Sequence, residues 1–484
     1  MKHLFTLAVA FAALGANAQI PCVDGAAGDY PCENVDLIAH YPISEIGGGV
    51  NLSDNWGWTD PESGREFAII GRSDGTSFME ITDANNAVYL GNLPTHTTAI
   101  LWRDMKVFDH YAFIVSEAGD HGMQVFDLEQ LLDVSNPPVE FEETAHYAGF
   151  GSAHNIAICE ESGFAYGVGT TTAEGGLHIV DVNDPLNPVI AGTFSEDGYT
   201  HDVQVVIYTG PDQEHVGDEV AFACNEDELT LVNCTDKSDC QLLGKTTYSG
   251  NVYAHQGWLT EDQRYFILDD EIDENAGVAP FTRTHVFDVQ DLENPTYVGF
   301  YEAETTSSDH NLYTLGDLVI AGNYRSGVRI LHIDEAASAS LSEVGYFDTA
   351  PFESGPGFTG VWNCYPYFES GVLVACDMFN GLFLLAPDYD AIAALNVEEN
   401  TVVNPTFNLS PNPAAGNAEI RFNGFHTATP LQVRAINLAG QVVWETEIAP
   451  ALQPVNSIPL ADWAAGVYNI QVETYGTQRL IKQP

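Results

Sequence analysis

Short apolar runs alternate with turn-forming residues along most of this chain. Val, Ile, Phe and Tyr cluster in stretches of about four to seven residues, and Gly, Asn, Asp and Pro separate the stretches. Such runs are typical of β-strands, and no long helical period precedes residue 388. The pattern therefore predicts an all-β body.

One step in this pattern recurs at a nearly even spacing. A His followed by a polar residue opens a short apolar strand four times, and three weaker copies fit the same place. The seven positions are Trp58, Asp104, His154, His201, His255, His310 and Asn363, separated by 46, 50, 47, 54, 55 and 53 residues. Seven strand-rich units of this length predict a seven-bladed β-propeller.

The last unit is short of one strand. Three strand-like runs follow Asn363, whereas the other units have four, and residues 35–41 resemble the fourth strands elsewhere. We therefore expect an N-terminal strand to complete the last blade and close the ring. Closure removes the edge strands that an open array would expose.

The ends of the chain differ from its body. A basic start, an apolar run from Leu4 to Leu14 and Ala16-Asn17-Ala18 predict a secretory signal peptide. After the propeller, alternating strand-like runs predict a small β-sandwich. The predicted parts are a signal peptide (1–18), a Cys-bearing segment (19–34), the propeller (35–388), a linker (389–404) and the C-terminal sandwich (405–484).

The eight cysteines all lie beyond the signal peptide, and an even number in an exported chain favours disulfides. Cys22 and Cys32 flank a short Gly-rich loop and are expected to pair. The other expected pairs are Cys364 with Cys376 across a hairpin, Cys234 with Cys240 across a turn, and, by remainder, Cys159 with Cys224.

The charge is extreme. The chain carries 69 acidic and 15 basic residues, a net charge of −54. Such a surface repels phosphate backbones, so nucleic acid is excluded as an expected partner. The charge favours solubility in a salty medium, or alternatively a surface that binds calcium.

In a propeller the starts of all first strands lie at one mouth of the central channel, which is the default binding site. The expected ligand-binding ring comprises Trp58, Asp104, His154, His201, Asp202, His255, His310 and Asn363. Two interpretations of the histidines remain open. They bind a metal or ligand, or they only tie neighbouring blades together.

A loop in the fifth unit offers a second candidate metal site. Asp269, Glu271 and Asp273 alternate like the first half of a calcium loop, but Glu274 and Pro280 stand where an EF-hand needs Gly and Glu. The alternative is a solvated acidic loop. Nucleophile elbows, phosphate loops and His-Glu-x-x-His motifs do not occur in the sequence.

The tail resembles the C-terminal sorting domain of the type IX secretion system of bacteria. Four motifs carry the resemblance: Ser410-Pro411-Asn412-Pro413, Asn437-Leu438-Ala439-Gly440-Gln441, Ala465-Gly466-Val467-Tyr468 and Arg479-Leu480-Ile481-Lys482. The resemblance implies that the type IX machinery is a partner and that the protein is secreted or held at the outer cell surface of a bacterium.

The body resembles the choice-of-anchor B family of extracellular propellers with LVIVD-type repeats. The matching stretches are Trp56–Pro61, Gly71–Ser77, Ala254–Asp262, Leu268–Glu271 and Ser308–Tyr313. The resemblance implies a fold and a location but lends no catalytic residues.

These observations favour an exported binding module that holds a glycan, a peptide or a protein at the channel mouth. The alternative is a metal-assisted hydrolase or lyase that uses His201, His255, His310 and nearby acids, with calcium or a divalent transition metal as cofactor. Three of these side chains within about 4 Å of one point would favour the enzyme.

Overall fold

The computed structural model describes residues 19–399, 406–423, 431–438, 440–449, 455–472 and 476–483. The chain divides into two compact units, Met1–Ile392 and Ala393–Pro484. The predicted signal peptide and the last part of the predicted linker lie outside the described residues.

The first unit is built from antiparallel sheets whose strands follow one another in chain order, as predicted for a propeller. Each strand is an apolar run that ends where Gly, Asn, Asp or Pro allows a turn. We number the sheets as blades 1 to 7. Their strands are Leu52–Thr59, Glu66–Arg72, Gly75–Glu80 and Val88–Pro94 (blade 1); Arg103–Phe108, Tyr111–Ser116, Met123–Asp127 and Ala145–Tyr147 (blade 2); Asn155–Cys159, Phe164–Val168, Leu177–Asp181 and Val189–Phe194 (blade 3); Asp202–Ile207, Glu219–Cys224, Leu229–Asn233 and Gln241–Thr246 (blade 4); Ala254–Leu259, Tyr265–Asp270, Arg283–Asp288 and Thr296–Glu302 (blade 5); Leu312–Leu315, Leu318–Gly322, Val328–Glu335 and Ser340–Phe347 (blade 6); and Val361–Tyr365, Leu373–Asp377, Gly381–Pro387 and Val35–Tyr41 (blade 7).

Short strands and 3-10 helices lie beside or between the main strands of these blades. Val139–Glu140 runs parallel to the last strand of blade 1, and Tyr30–Glu33 with Ala26–Ala27 extends the outer edge of blade 6. The short 3-10 helices are Ile43–Glu45, Ala84–Asn86, Leu128–Asp133, Ala173–Gly175 and Ala336–Ser338.

The ring closes as expected. Val35–Tyr41 pairs antiparallel with Gly381–Pro387 and supplies the outer strand of blade 7. The first strands of successive blades contact one another all the way round, and the first strand of blade 7 contacts that of blade 1. Apolar side chains between neighbouring blades form the core, which is why both faces of the middle strands are buried.

The second unit contains two sheets. One comprises Thr406–Ser410, Asn417–Asn423 and Val455–Pro459, and the other comprises Leu431–Asn437, Val442–Ile448, Gly466–Val472 and Gly476–Lys482. A buried apolar cluster that includes Phe407, Ile420 and Ile470 fills this unit. The prediction of a small C-terminal β domain is confirmed.

The segment predicted as a linker begins with an α-helix, Tyr389–Glu399. The Asp388 side chain accepts a hydrogen bond from the Ala391 backbone and caps the first turn, while Ile392 is buried against the core of the first unit. The sequence shows no amphipathic stripe over this segment, which is why its pattern did not predict a helix.

The cysteines follow the prediction in one case. Cys22 and Cys32 form a disulfide, whereas the other six are buried thiols. Cys376 lies opposite Asn363 in the ladder and Cys364 lies opposite Ala375, so this one-residue offset turns Cys364 and Cys376 to opposite faces of blade 7.

The other two expected bridges are also absent from the structure. Cys234 and Cys240 meet across their turn as hydrogen-bonded thiols, and this contact raises the pKa of Cys234. Cys159 ends the first strand of blade 3 and Cys224 ends the second strand of blade 4, where they pack in separate apolar clusters.

Candidate metal centre at the histidine mouth

The channel mouth is built from the segments that precede or open the first strands. Asp54, Asp104 and Asp202 each accept a hydrogen bond from the backbone N–H of the following residue, which identifies them as equivalent positions. Asp104 is thus equivalent to the residue that follows a histidine, one position later than predicted, and Trp58 was assigned wrongly. It lies near the other end of its strand, opposite Phe67, and stacks on that ring at 5.2 Å.

The residues that follow the histidines tie blades together. The Asn155 amide donates to the backbone carbonyl of His201 (3.1 Å), and the Gln256 amide both donates to and accepts from the backbone of Leu312 (3.1 and 2.9 Å). Asp104 and Asn363, from the weaker copies of the repeat, also form hydrogen bonds to a neighbouring blade. Asp104 accepts from the Ile156 N–H at 2.8 Å, and Asn363 donates to the Asn55 carbonyl at 2.8 Å. Asp202 has no such bond to a neighbouring blade among the described residues; its carboxyl accepts from Val203.

The four histidines form one continuous row. The ring centroids of His154 and His201, of His201 and His255, and of His255 and His310 are 4.3, 4.3 and 4.5 Å apart. Tyr324 and Trp362 continue the row beyond His310, each at 4.7 Å. Apart from His154, which is partly exposed, these histidines are almost fully buried.

Every Nδ1 atom in the row faces an oxygen. His201 donates to the carbonyl of His255 at 3.0 Å, and His310 donates to the carbonyl of Trp362 at 2.5 Å. His154 donates to Glu117 at 2.6 Å, and His255 donates to Asp269 at 2.7 Å. Since a carbonyl oxygen can only accept, Nδ1 of His201 and of His310 carries the proton and Nε2 of each presents a lone pair, and an ionised carboxylate imposes the same arrangement on His154 and His255.

The Nε2 atoms have no hydrogen-bond partner among the described residues. Two of them meet one carboxylate: Glu271 lies 3.8 Å from Nε2 of His255 through one oxygen and 3.8 Å from Nε2 of His310 through the other. Single ligand atoms of these three residues lie within 4.8 Å of one another. One point is therefore within roughly 3 Å of all three, which meets the condition that favours a metal-dependent site.

Burial keeps His201, His255 and His310 neutral. Loss of water lowers the pKa of His310 to about 3 and holds the pKa of His201 and of His255 well below the usual value, and neighbouring imidazoles add to the effect. Burial raises the pKa of Glu271 to about 7, although a hydrogen bond from the Tyr324 hydroxyl at 2.7 Å opposes this shift. Neutral imidazoles are the form that binds metal.

The three acids of the predicted calcium loop do not converge on one point. Asp269 holds Nδ1 of His255, Glu271 turns to the Nε2 atoms, and Asp273 lies beside Glu274. Each acid therefore has a different environment, although the loop does border the mouth as expected.

A second feature escaped the sequence analysis. The channel contains a cavity of about 340 Å³ that shares lining residues with another of about 480 Å³. Trp56 and Trp258 line both, and Tyr313 stands between them with ring centroids 5.9 and 5.0 Å away. The signal was available in the sequence, because these aromatics follow the mouth positions two to three residues later in their strands.

Within the described residues no helix is long and apolar enough to span a bilayer.

Residues 408–483 match the model of the secretion system C-terminal sorting domain family. The C-terminal unit is thus a type IX sorting domain that engages the type IX secretion machinery, and the protein is secreted or delivered to the outer cell surface.

No curated protein matches the chain significantly. Among solved structures, PorZ, a surface component of the type IX secretion system of Porphyromonas gingivalis, is 12% identical with a TM-score of 0.47; the match covers 90% of this chain and 60% of PorZ. U3-55K is 9% identical with a TM-score of 0.48, covering 73% of this chain and 98% of that one. The Cps50 (Swd1) β-propeller domain of Myceliophteria thermophila is 12% identical with a TM-score of 0.45, covering 71% and 98%.

Proposed function

We propose that this exported propeller carries a divalent transition metal at its histidine mouth and acts as a metal-assisted hydrolase. His255, Glu271 and His310 are the ligands. The observation that carries the proposal is that the two nitrogens of each imidazole have different surroundings. In both His255 and His310, Nδ1 is hydrogen-bonded to an oxygen, and Nε2 has no hydrogen-bond partner and lies beside the carboxylate of Glu271. Metal-binding histidines are oriented in this way by partners on the other nitrogen.

The dimensions suit such an ion. A metal with bonds of about 2.0–2.2 Å holds neighbouring ligand atoms roughly 3.0–3.5 Å apart, so separations of 3.8 Å need only a small inward movement. Two imidazoles and one carboxylate favour zinc, manganese or iron over calcium. Three protein ligands would leave positions for water and substrate, and a bound metal would activate a water molecule for hydrolysis.

The direct test is metal content. Purified protein, stripped with a chelator and dialysed against Zn²⁺ or Mn²⁺, should retain one ion per chain. The double variant His255→Ala, His310→Ala should lose it, whereas His332→Ala, in the third strand of blade 6, should not. Hydrolysis of chromogenic esters, phosphoesters and glycosides is then compared with and without metal. Equal metal content in all three proteins would refute the centre, and a loaded but inactive protein would reduce the proposal to metal-mediated binding.

The aromatic cavity favours a second function, the binding of a carbohydrate. Trp56, Trp258 and Tyr313 offer apolar ring faces, while Glu160 and Gln204 supply hydrogen-bonding groups in the same lining. A glycan array should show binding that Trp258→Ala abolishes and that Trp102→Ala, an exposed tryptophan outside this cavity, leaves intact. Loss of binding in both variants, or in neither, would contradict this assignment.

We also propose that the propeller belongs to the choice-of-anchor B family, which its sequence resembles.

A further inference from the structure

The aromatic cavity in the channel also carries a strong negative charge. The cavity and its neighbour share Trp56, Trp258, Glu160 and Gln204 in their linings. Among the described residues that line the two spaces, four are acidic and one is basic: Glu160, Glu161, Asp202 and Glu261 against Lys106. We propose that this cavity binds an amino sugar whose amine is free and protonated. The inference rests on the proposed carbohydrate function and specifies the class of sugar.

Lys106 shows how a cation is held in this cavity. Its Nζ lies 4.6 Å from the centroid of the Trp56 ring and donates to Asp104 at 2.7 Å. The negative face of an aromatic ring and a carboxylate both attract an ammonium group, so this arrangement is favourable. The chain therefore already contains one example of the recognition that we propose for the ligand.

The charge of Lys106 is not available to an anionic ligand. Although burial lowers its pKa, the charges of Asp104, Asp54 and Asp202 raise that pKa above the usual value. Glu160 and Glu261 form no ion pair with any described residue. An anionic sugar would be repelled from such a lining and a neutral sugar would gain nothing from its charges, whereas a cationic sugar would be attracted.

Trp258 is the tryptophan that remains for a cationic ligand. It lines both spaces, as Glu160 does, and Glu261 lines the larger one with it. Lys106 lies over Trp56, but in the described part of the chain no Lys or Arg lies over the Trp258 ring. An aromatic ring bordered by unpaired carboxylates is the combination that recognises ammonium groups.

Two buried polar groups of the lining have no partner in the chain. Gln204 is 8% exposed; its Oε1 accepts from the Leu259 N–H at 2.8 Å, but its Nε2 has no hydrogen-bond partner among the described residues. The hydroxyl of Tyr313, which is 2% exposed, has none either. By contrast, Gln256 in the same lining uses both ends of its amide on Leu312. Since unpaired buried groups are costly, Gln204 and Tyr313 favour a ligand that brings hydroxyl groups.

The size of the space favours a sugar over a simple amine. The two cavities measure about 340 and 480 Å³, which is within the range of sites for small organic molecules. A lysine side chain would fill only part of this space and would leave Gln204 and Tyr313 unpaired. An oligosaccharide of amino sugars brings ring faces for Trp258, amines for Glu160 and Glu261, and hydroxyls for the two unpaired groups.

The test compares two tetrasaccharides that differ only in the N-acetyl group. The full-length protein is titrated calorimetrically at pH 6 with a tetramer of β-1,4-linked glucosamine, whose amines are protonated, and with its neutral N-acetylated counterpart. The charged tetramer should bind at least about tenfold more tightly. This preference should shrink as NaCl is added, because salt screens the attraction. Trp258→Ala should abolish the binding of both.

A matched pair of double variants tests the acids. Glu160→Gln, Glu261→Gln should remove most of the preference for the charged tetramer and leave the affinity for the N-acetylated one unchanged. The control is Glu140→Gln, Glu142→Gln, which removes the same charge beside blade 1, outside both linings, and should keep the preference. All four side chains are exposed, so we expect both double variants to fold.

The outcomes separate this inference from the carbohydrate function on which it rests. Equal affinity for the two tetramers overturns the inference and leaves carbohydrate binding intact. Binding of neither tetramer also overturns it, and the glycan array then decides separately whether the carbohydrate function stands. Equal loss of preference in the two double variants would mean that net charge, and not the cavity, selects the amine. A lysine tetrapeptide that bound as tightly as the charged tetramer would show that the cavity recognises the ammonium group alone, which contradicts an amino-sugar site.

Discussion

At the scale of single residues, the two nitrogens of each mouth histidine have separate tasks. Nδ1 of His201 and of His310 bonds a carbonyl of the next blade, so these rings do tie blades together. Their Nε2 atoms remain free for a ligand. The two interpretations of the histidine row are therefore compatible, because each uses a different atom of the same ring.

Tyr324 orients the carboxylate of the proposed metal centre. Its hydroxyl donates to Glu271 at 2.7 Å, so Tyr324→Phe frees the carboxylate without removing a ligand. We expect zinc affinity to fall by about 10- to 100-fold, as is typical when a partner of a ligand is lost, with little change in stability. Competition titration with a chromogenic chelator measures this. Tyr253→Phe is the control, because it removes the hydroxyl of a tyrosine whose ring packs against His201 at 5.2 Å, and an equal loss in both variants would contradict the assigned role.

His121 should make the protein sensitive to acid. Burial lowers its pKa from 6.5 to about 4, and Nε2 accepts a hydrogen bond from Arg103, which a protonated ring could not do. The unfolded chain therefore takes up a proton that the folded chain refuses, and the free energy of unfolding falls as the pH drops from 6.5 towards 4. The loss is about 2 kcal/mol at pH 5.

His121→Gln should abolish this part of the pH dependence, because its amide oxygen can still accept from Arg103. Urea unfolding midpoints at pH 7.5 and pH 5 are compared for the two proteins. The variant should lose less stability over this interval, and parallel losses would contradict the role of His121.

The sequence identified these four histidines because repetition exposes equivalent positions. It could not show which nitrogen faces the channel, since that depends on oxygens supplied by other blades, such as the carbonyl of Trp362. Trp58 was misassigned for a similar reason. Blade 1 has no histidine at the mouth, so a spacing argument accepted the nearest aromatic residue.

At the scale of elements, the blades are joined by side chains that complete the backbone of a neighbour. Gln256, which is 2% exposed, bonds both the N–H and the C=O of Leu312 across the junction of blades 5 and 6. Gln256→Leu leaves both groups buried and unpaired, which costs roughly 2–4 kcal/mol. Denaturant unfolding should show this loss, whereas Gln290→Leu, in a turn of blade 5, should change stability by less than about 0.5 kcal/mol. Similar losses of stability in both variants would show that hydrogen bonds between blades contribute no more than those within a turn.

Strand existence was predictable, but register was not. The hairpin that contains Cys364 and Cys376 was anticipated, yet a register shift in its ladder turns the two thiols to opposite faces. Alternation along a strand specifies a face only when one side is polar, and both sides of this hairpin are buried. Pairing predictions from symmetric spacing therefore fail in blades that are apolar on both faces.

At the scale of the whole molecule, the propeller depends on a strand from the opposite end of its sequence. Val35–Tyr41 completes blade 7, and burial of Val35, Leu37 and Ile38 contributes roughly 5–9 kcal/mol. A chain that begins at residue 42 leaves Gly381–Pro387 as an unpaired edge. We expect a lower melting temperature, a broader transition and self-association, because an exposed apolar edge recruits other strands.

The missing strand can be returned in trans. A synthetic peptide of residues 33–41 should bind the truncated chain, restore the melting temperature in proportion to its concentration and suppress association, as mass action requires. The same peptide with Leu37 and Ala39 changed to Asp is the control, since both side chains are buried in the native blade. If the truncated chain were fully stable without peptide, six blades and a partial seventh would be enough for a stable fold. If both peptides restored stability, charge or crowding, and not strand pairing, would close the ring.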